Sequence, residues 1–266
     1  MAELQYVKVS IEDRIATLTI DHPPANAFSE QTVLDLATAF DQVSANPEVK
    51  VIIITGAGQF AFVAGADINE IKAQIDLARA GKEVKRDLIR KGQDLFDRIE
   101  QSTKPVIAAI NAVCLGGGME LAMACHIRIA SDTARFGQPE VNLGVLPGWG
   151  GTARLPRIVG RSKAIELIAT GDMIPAQEAA RLGLVNKVVP AGQVVKTAVD
   201  LAKKLTSKSG LTVSAILEAI NQGMDMSLDQ AQKLAEEKFV YLCSTEDGYE
   251  GVSAFLQKRQ AKFQDK

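Results

Sequence analysis

The segment "VKVIIIT", residues 49–55, constrains the fold more than any other stretch of the chain. Alternating apolar and polar residues would give a strand with one wet face, whereas an unbroken β-branched run needs cover on both. A chain that carries such a run must place helices or a second sheet on either side of it. "KPVIAAINAVCL" (104–115) and "HIRIAS" (126–131) supply a second and a third buried strand region, with helical patterns between the first two. This alternation of buried strands with helices predicts an α/β core.

Around these runs the pattern is readable in pieces. "YVKVSI" and "IATLTI" alternate, with "EDR" between them, and predict a β-hairpin within the first 20 residues. "HPPANAF" interrupts, because two prolines fit neither a central strand nor a helix interior. A helix is expected from Ser29 or Glu30 to about Val43, with Val33, Leu34, Leu36, Ala37 and Phe40 on one face. "GAGQFAFVAGAD" reads as a turn and a short extended loop, followed by a polar helical region to about residue 85 and a helix through "LIRKGQDLFDRIEQS".

From about residue 191 the pattern is helical throughout: "AGQVVKTAVDLAKKLTS", "LTVSAILEAINQG", "SLDQAQKLAEEKFVYLCS" and "YEGVSAFLQKRQAKF". Each has an apolar stripe and a nearby break. The division expected is a core over residues 1–200 and a helical region over 201–266, which packs on the core or on another subunit.

Composition removes several classes of function. A net charge of −2 gives no electrostatic footprint for nucleic acid. No apolar window approaches the roughly 18 residues of a membrane span, and the first residues match no secretory or organellar leader. A cytoplasmic protein is the expectation. Cys114, Cys125 and Cys243 show no CxxC spacing and are expected as buried free thiols in a reducing compartment.

Motifs exclude more. Gly56-Ala-Gly58 follows a strand as a dinucleotide fingerprint would, but "FAFVAGAD" stands where that mechanism needs a helix to begin at once. His22 and His126 are the only histidines, neither in a metal-binding spacing, and no GxSxG elbow occurs. Both are expected to be structural, and no metal site is expected.

What remains is "CLGGGMELAMAC" with "RFGQPEVNLGVLPGWGGTARL". Three glycines at a strand-to-helix junction let a ligand approach bare backbone. The first N–H groups of the helix lack intrahelical partners and sit at the positive end of its dipole, which suits a developing oxyanion. Glu120 stands in that first turn among Met119, Leu121, Ala122 and Met123; it could simply cap the helix. Glu140, in "QPEVNLGV", is a second carboxylate in apolar surroundings, and such a pair can divide into acid and base. A glycosidase could use the same pair, but aromatics make up only 5% of the chain.

These residues carry a resemblance. In "HPPANAFS", "VIIITGAGQFAFVAGADINE", "KPVIAAINAVCLGGGMELAMACHIRIAS", "FGQPEVNLGVLPGWGGTARLPRIVG", "GDMIPAQEAARLGLVNKVV" and "EGVSAFLQKRQAKF" the chain resembles the enoyl-CoA hydratase/isomerase (crotonase) family along nearly its whole length. Within it, the likeness is greatest to bacterial short-chain 2-enoyl-CoA hydratases.

The resemblance implies a spiral of ββα units forming two roughly perpendicular sheets, then a C-terminal helical trimerisation region, with trimers pairing into hexamers. It implies an acyl-CoA thioester as substrate and no separate cofactor. By the same resemblance the N–H groups of Ala66 and Gly117 bind the thioester carbonyl, Glu120 and Glu140 are the acid–base pair, and backbone around Gly148 helps place a water. Ala64, Ala66, Asp67 and Ile68 would line the adenine pocket, with Ala25 and Ala27 along the CoA path. Phe255 and Lys258 would reach the CoA, often from a neighbouring subunit.

Retention of both glutamates favours a hydratase. A Δ3-Δ2 enoyl-CoA isomerase, a hydratase of a cyclic or dienoyl-CoA, and a non-catalytic CoA-binding subunit are the alternatives. Trp149 stands where close hydratases carry a small residue; its indole would either pack outward or narrow the acyl pocket.

Overall fold

The computed structural model describes residues 4–84 and 86–266, without the Leu88 side chain. The N-terminal hairpin is β1 (Val7–Glu12) and β2 (Ile15–Ile20), paired antiparallel through a turn at Asp13 and Arg14, both at positive φ. Helix α1 (Glu30–Ala45) starts on Ser29, whose side chain accepts the Thr32 N–H. It buries Val33, Leu36, Ala39, Phe40 and Val43, while Leu34 turns outward.

Strand β3 (Val51–Gly56) follows, and then β4 (Ala61–Val63) forms inside the segment expected to be loop. Three residues are too few for a periodicity to show. Helices α2 (Ile68–Arg79) and α3 (Arg86–Glu100) come next; Lys85, the end of the expected polar helical region, lies outside the described residues.

The apolar run 104–115 divides into β5 (Val106–Ile110) and β6 (Val113–Leu115), which belong to different sheets. Helix α4 (Gly117–Ala124) leads to β7 (Ile127–Ser131) and β8 (Arg135–Gly137), and a 3-10 turn covers Pro139–Leu143. Then come α5 (Gly151–Val159), α6 (Arg161–Thr170), β9 (Ile174–Pro175), α7 (Ala176–Arg181) and β10 (Lys187–Val189).

The last four helices are α8 (Val194–Thr206), α9 (Gly210–Gly223), α10 (Leu228–Cys243) and α11 (Glu246–Leu256). The final helix stops before the "QKRQAKF" expected to continue it. Instead the tail folds back: the Asp247 carboxylate accepts the N–H groups of Gln264 and Asp265 at 2.7 and 3.0 Å. Backbone bonds to a buried acid replace the helical ones.

Six strands form one sheet in the order β1-β2-β3-β5-β7-β10, and four form another, β4-β6-β8-β9. The large sheet is parallel from β2 through β10. Its central strands explain the unbroken apolar runs. Ile52 and Ile54 of β3 pack into the main core, whereas Val51 and Ile53 pack with Val194, Ala198 and Ala202 of α8 on the other face. Helix α8 therefore crosses residue 200 while covering the sheet. Cys114 and Cys125 are buried as expected, but Cys243 is exposed at the end of α10, a correction that follows from that helix presenting no buried residue.

Candidate active site

Each parallel strand of the small sheet runs directly into a segment of one cavity. Strand β4 leads to Ala64–Asp67, β6 leads through Gly116 into α4, and β8 leads through Gln138 to the turn that carries Glu140. The cavity they enclose measures about 370 Å³ and has Ala66, Gly117, Glu120, Glu140, Gly148 and Trp149 on its wall. The residues singled out for catalysis in the sequence are thereby brought together.

Two backbone N–H groups are left over for a ligand. Phe28 donates to the Gly65 carbonyl and accepts from the Asp67 N–H, both at 2.8 Å, and so clamps the peptides on either side of Ala66. Gly117 is the first residue of α4, where an N–H has no intrahelical partner. Neither N–H donates to another group among the described residues. Gly116 brings the two segments together. Its φ is +51°, and a Cβ there would lie 2.9 Å from Glu140 Oε1 and 3.5 Å from Gly65 Cα. Unpartnered N–H groups on adjoining segments, one at a helix N-terminus, form a place for a developing negative oxygen.

Glu120 is 2% exposed, and its Oε1 accepts the N–H groups of Trp149 and Gly151, each at 2.7 Å. It does satisfy an orphan helix donor, but that of Gly151 at the start of α5 rather than one of its own helix. Burial pushes its carboxyl up to about 7, opposed by the Gly151 N–H, reinforced by the nearby Glu140 charge, and opposed again by the Trp149 N–H and the Arg154 guanidinium. Glu140 is partly buried, and burial likewise lifts its carboxyl above the ordinary range. With its amide nitrogen turned to the carboxylate, buried Gln138 donates to both Glu140 oxygens at 3.0 and 3.1 Å. The Glu140 charge thus adds to the burial that raises Glu120.

Three further residues that sequence reasoning missed hold this arrangement. Arg154, 8% exposed, donates to the Trp149 carbonyl at 3.0 Å, to Asp97 at 2.6 Å, and to Glu100 at 2.8 and 2.9 Å. It thereby ties the 148–151 segment to α3. Gln93 Nε2 donates to the Gly148 carbonyl at 2.9 Å. Gln93 and Arg154 reach partners 54 to 57 residues away in the chain, and no local pattern marks them. Only the Gln-Pro-Glu adjacency could have singled out Gln138.

Other predicted residues fall at different places. Ala64, Asp67 and Ile68 line the cavity, and Asp67 caps α2 by accepting the Asn69 N–H at 2.7 Å. Ala25 and Ala27 lie beside it without lining it. Their loop is pinned by Asn26, which donates to the Ala57 and Ala61 carbonyls at 3.0 and 2.9 Å, and by the Ala64 N–H, which donates to the Ala25 carbonyl at 3.2 Å. Phe255, on α11, is 82% exposed, and neither it nor Lys258 lines the cavity.

Trp149 does not pack outward; it makes edge-on contacts with Phe28 and Phe96 at centroid distances of 5.6 and 5.8 Å. Both histidines are held structurally. His22 stacks on Tyr6 and bonds the Ala27 carbonyl, and His126 accepts the Val106 N–H while its other nitrogen meets the Glu100 carbonyl. No group of three or more potential metal ligands occurs among the described residues.

The sequence and the fold have known counterparts. The model of the family described as enoyl-CoA hydratase/isomerase matches residues 10–266. The short-chain-enoyl-CoA hydratase of Clostridium acetobutylicum is 43% identical over 259 residues, 97% of each chain. The crotonyl-CoA hydratase of Syntrophomonas wolfei is 44% identical over 253 residues, 95% of each. Among solved structures, an enoyl-CoA hydratase from Bacillus anthracis superposes with a TM-score of 0.91 at 35% identity, covering 98% of this chain and 100% of that one.

Proposed function

Because the chain belongs to the enoyl-CoA hydratase/isomerase family and has its crotonase fold, we propose that it hydrates trans-2-enoyl-CoA thioesters to 3-hydroxyacyl-CoA in acyl-CoA degradation. The observation that carries this reading is that Glu120 and Glu140, two carboxyls whose proton affinity burial raises, line the same cavity as Ala66 and Gly117 with their unpartnered N–H groups. A water needs one group to take its proton and another to supply a proton to carbon.

The thioester oxygen accepts from the Ala66 and Gly117 N–H groups. Glu120, as carboxylate, takes a proton from water as the oxygen bonds Cβ; the C=C electrons move into an enolate whose oxygen the same donors hold. Glu140, protonated, then gives its proton to Cα. The pair ends with the proton on Glu120 instead of Glu140, and exchange with solvent restores the start. Placing both acids on one side of the substrate gives syn addition. One oxyanion donor of this kind is worth about 10²–10³ in rate. The backbone at Gly148 borders the water, and CoA enters only as part of the substrate.

The CoA moiety is assigned to the surface by Ala25, Ala27, Ala64, Asp67 and Ile68. The last three helices expose Ile216, Ile220, Phe239, Val240, Val252 and Phe255, large apolar side chains of the kind that a subunit interface covers. That supports a trimer, or a hexamer built from trimers, in which Phe255 and Lys258 serve a neighbour's CoA. No described helix is long and apolar enough to cross a membrane, and a cytoplasmic location is part of the same proposal. The test is hydration of crotonyl-CoA, followed as loss of the enoyl-thioester absorbance. Folded protein that turns over no 2-enoyl-CoA from C4 to C8 would overturn the reading.

A further inference from the structure

Behind the acyl cavity lies a second one of about 1020 Å³, bordered by Asp97, Glu100, Arg154 and the end of α9. Among the described residues, Trp149 alone stands on the walls of both. Its ring is fitted by the absence of two side chains. A Cβ on Gly92 of α3 would lie 2.4 Å from the indole nitrogen, and one on Gly117 would lie 2.7 Å from Cζ3 on the opposite side of the ring system. Glycine inside a helix costs about 1 kcal/mol relative to alanine, so α3 gives up stability at the one place where the indole must pass. Phe28 and Phe96 close the remaining sides edge-on.

We infer that Trp149 is the floor of the acyl pocket and sets the acyl length the enzyme accepts. The inference rests on the proposed acyl-CoA hydration and deepens it. The backbone N–H of Trp149 holds Glu120, and its ring covers Gly117, whose own N–H holds the thioester. The floor therefore stands within one residue of both reacting groups. With this floor, an acyl chain of four to six carbons is the length expected to be accepted. A longer one meets the ring, which closes it off from the second cavity, lined by Met123, Ala124 and Ile158 beside Asp97, Glu100 and Arg154.

Trp149 is also the chain's only tryptophan, so its fluorescence reports on this wall alone. The test has two arms. In the first, saturated acyl-CoAs of increasing length are titrated while the emission is followed, with no turnover needed. Butyryl-CoA or hexanoyl-CoA is expected to change the emission and free CoA to leave it unchanged. If acyl-CoAs bind, as seen by calorimetry, and the emission does not respond to the acyl group, the floor assignment is wrong. If no acyl-CoA binds at all, the substrate class fails, and the floor with it.

In the second arm, kcat/KM is measured with C4, C6, C8 and C10 2-enoyl-CoA. The wild type is expected to fall at least tenfold between C4 and C10. Trp149→Ala should raise the C10-to-C4 ratio at least tenfold by joining the two cavities. Gly92→Ala, whose Cβ would lie 2.4 Å from the indole nitrogen, should push the ring and make the fall with length steeper. Unchanged length profiles in folded Gly92→Ala and in Trp149→Ala or Trp149→Leu would overturn the inference and place the acyl tail along Ile71 and Ile75 of α2 instead.

Discussion

Glu120, in the first turn of α4, places its Oε1 2.7 Å from the N–H of Gly151, the first residue of α5. One carboxylate thus caps a helix other than its own and faces the cavity at the same time. The 148–151 segment, with its positive-φ Gly150, exists in this shape because a buried acid satisfies it. Stability and chemistry meet in one group, and most of the expected outcomes below follow from that.

Glu120 should make stability depend on pH. Folded, it holds its proton up to about pH 7, whereas its ordinary value is 4.5. Between these pH values the folded state binds more protons than the unfolded one, so this stabilisation is complete below about 4.5 and is lost as pH rises through about 7. A shift of this size corresponds to roughly 3 kcal/mol. Glu120→Gln keeps a carbonyl acceptor for the two N–H groups and removes the dependence. Urea unfolding at pH 5 and pH 8 should show the variant gaining on the wild type at the higher pH. An equal difference at both would mean Glu120 is ionised throughout.

Arg154 is expected to be a positioning residue. Arg154→Met frees the Trp149 carbonyl and removes a cation that lowers the Glu120 carboxyl. Misplacement of about 1 Å at a reacting group costs on the order of 10² in rate. The variant should lose kcat by about that much with KM little changed, and the acid limb of its pH profile should move upward. Arg154→Lys, which keeps the charge without the fork, should recover the pH profile better than the rate. Equal losses of kcat in both, with no movement of the limb, would leave Arg154 a purely structural residue.

Gly116→Ala tests the backbone half of the site. The substitution forces a side chain into φ +51° and sets its Cβ 2.9 Å from Glu140 Oε1. Strain of this kind costs of order 1–3 kcal/mol. The expected loss in kcat/KM is 10²-fold or more, because the Gly117 N–H and Glu140 shift together. Near-wild-type turnover in the folded variant would separate the glycine from the oxyanion site.

Much of this is legible in the chain. The run at 49–55 announces a strand covered on both faces, and α8 with the main core provides the cover. Glu120, Glu140, Ala66 and Gly117 stand in recognisable segments because a strand end fixes where each of them goes. The three-residue strands β4, β6 and β8 are not legible, being too short for a periodicity, although they deliver the site. Arg154 is invisible because its partners Asp97 and Glu100 lie on another helix. The tail after Leu256 reads as helix locally and is turned back by Asp247, a tertiary contact that overrides propensity.

The central claim is that Glu120 and Glu140 act together on one water, and the most direct test is the kcat for crotonyl-CoA hydration of Glu120→Gln and Glu140→Gln beside the wild type. Each variant should lose about 10²-fold or more while binding butyryl-CoA nearly as tightly. Wild-type turnover in either would contradict the account and return that carboxylate to a structural role.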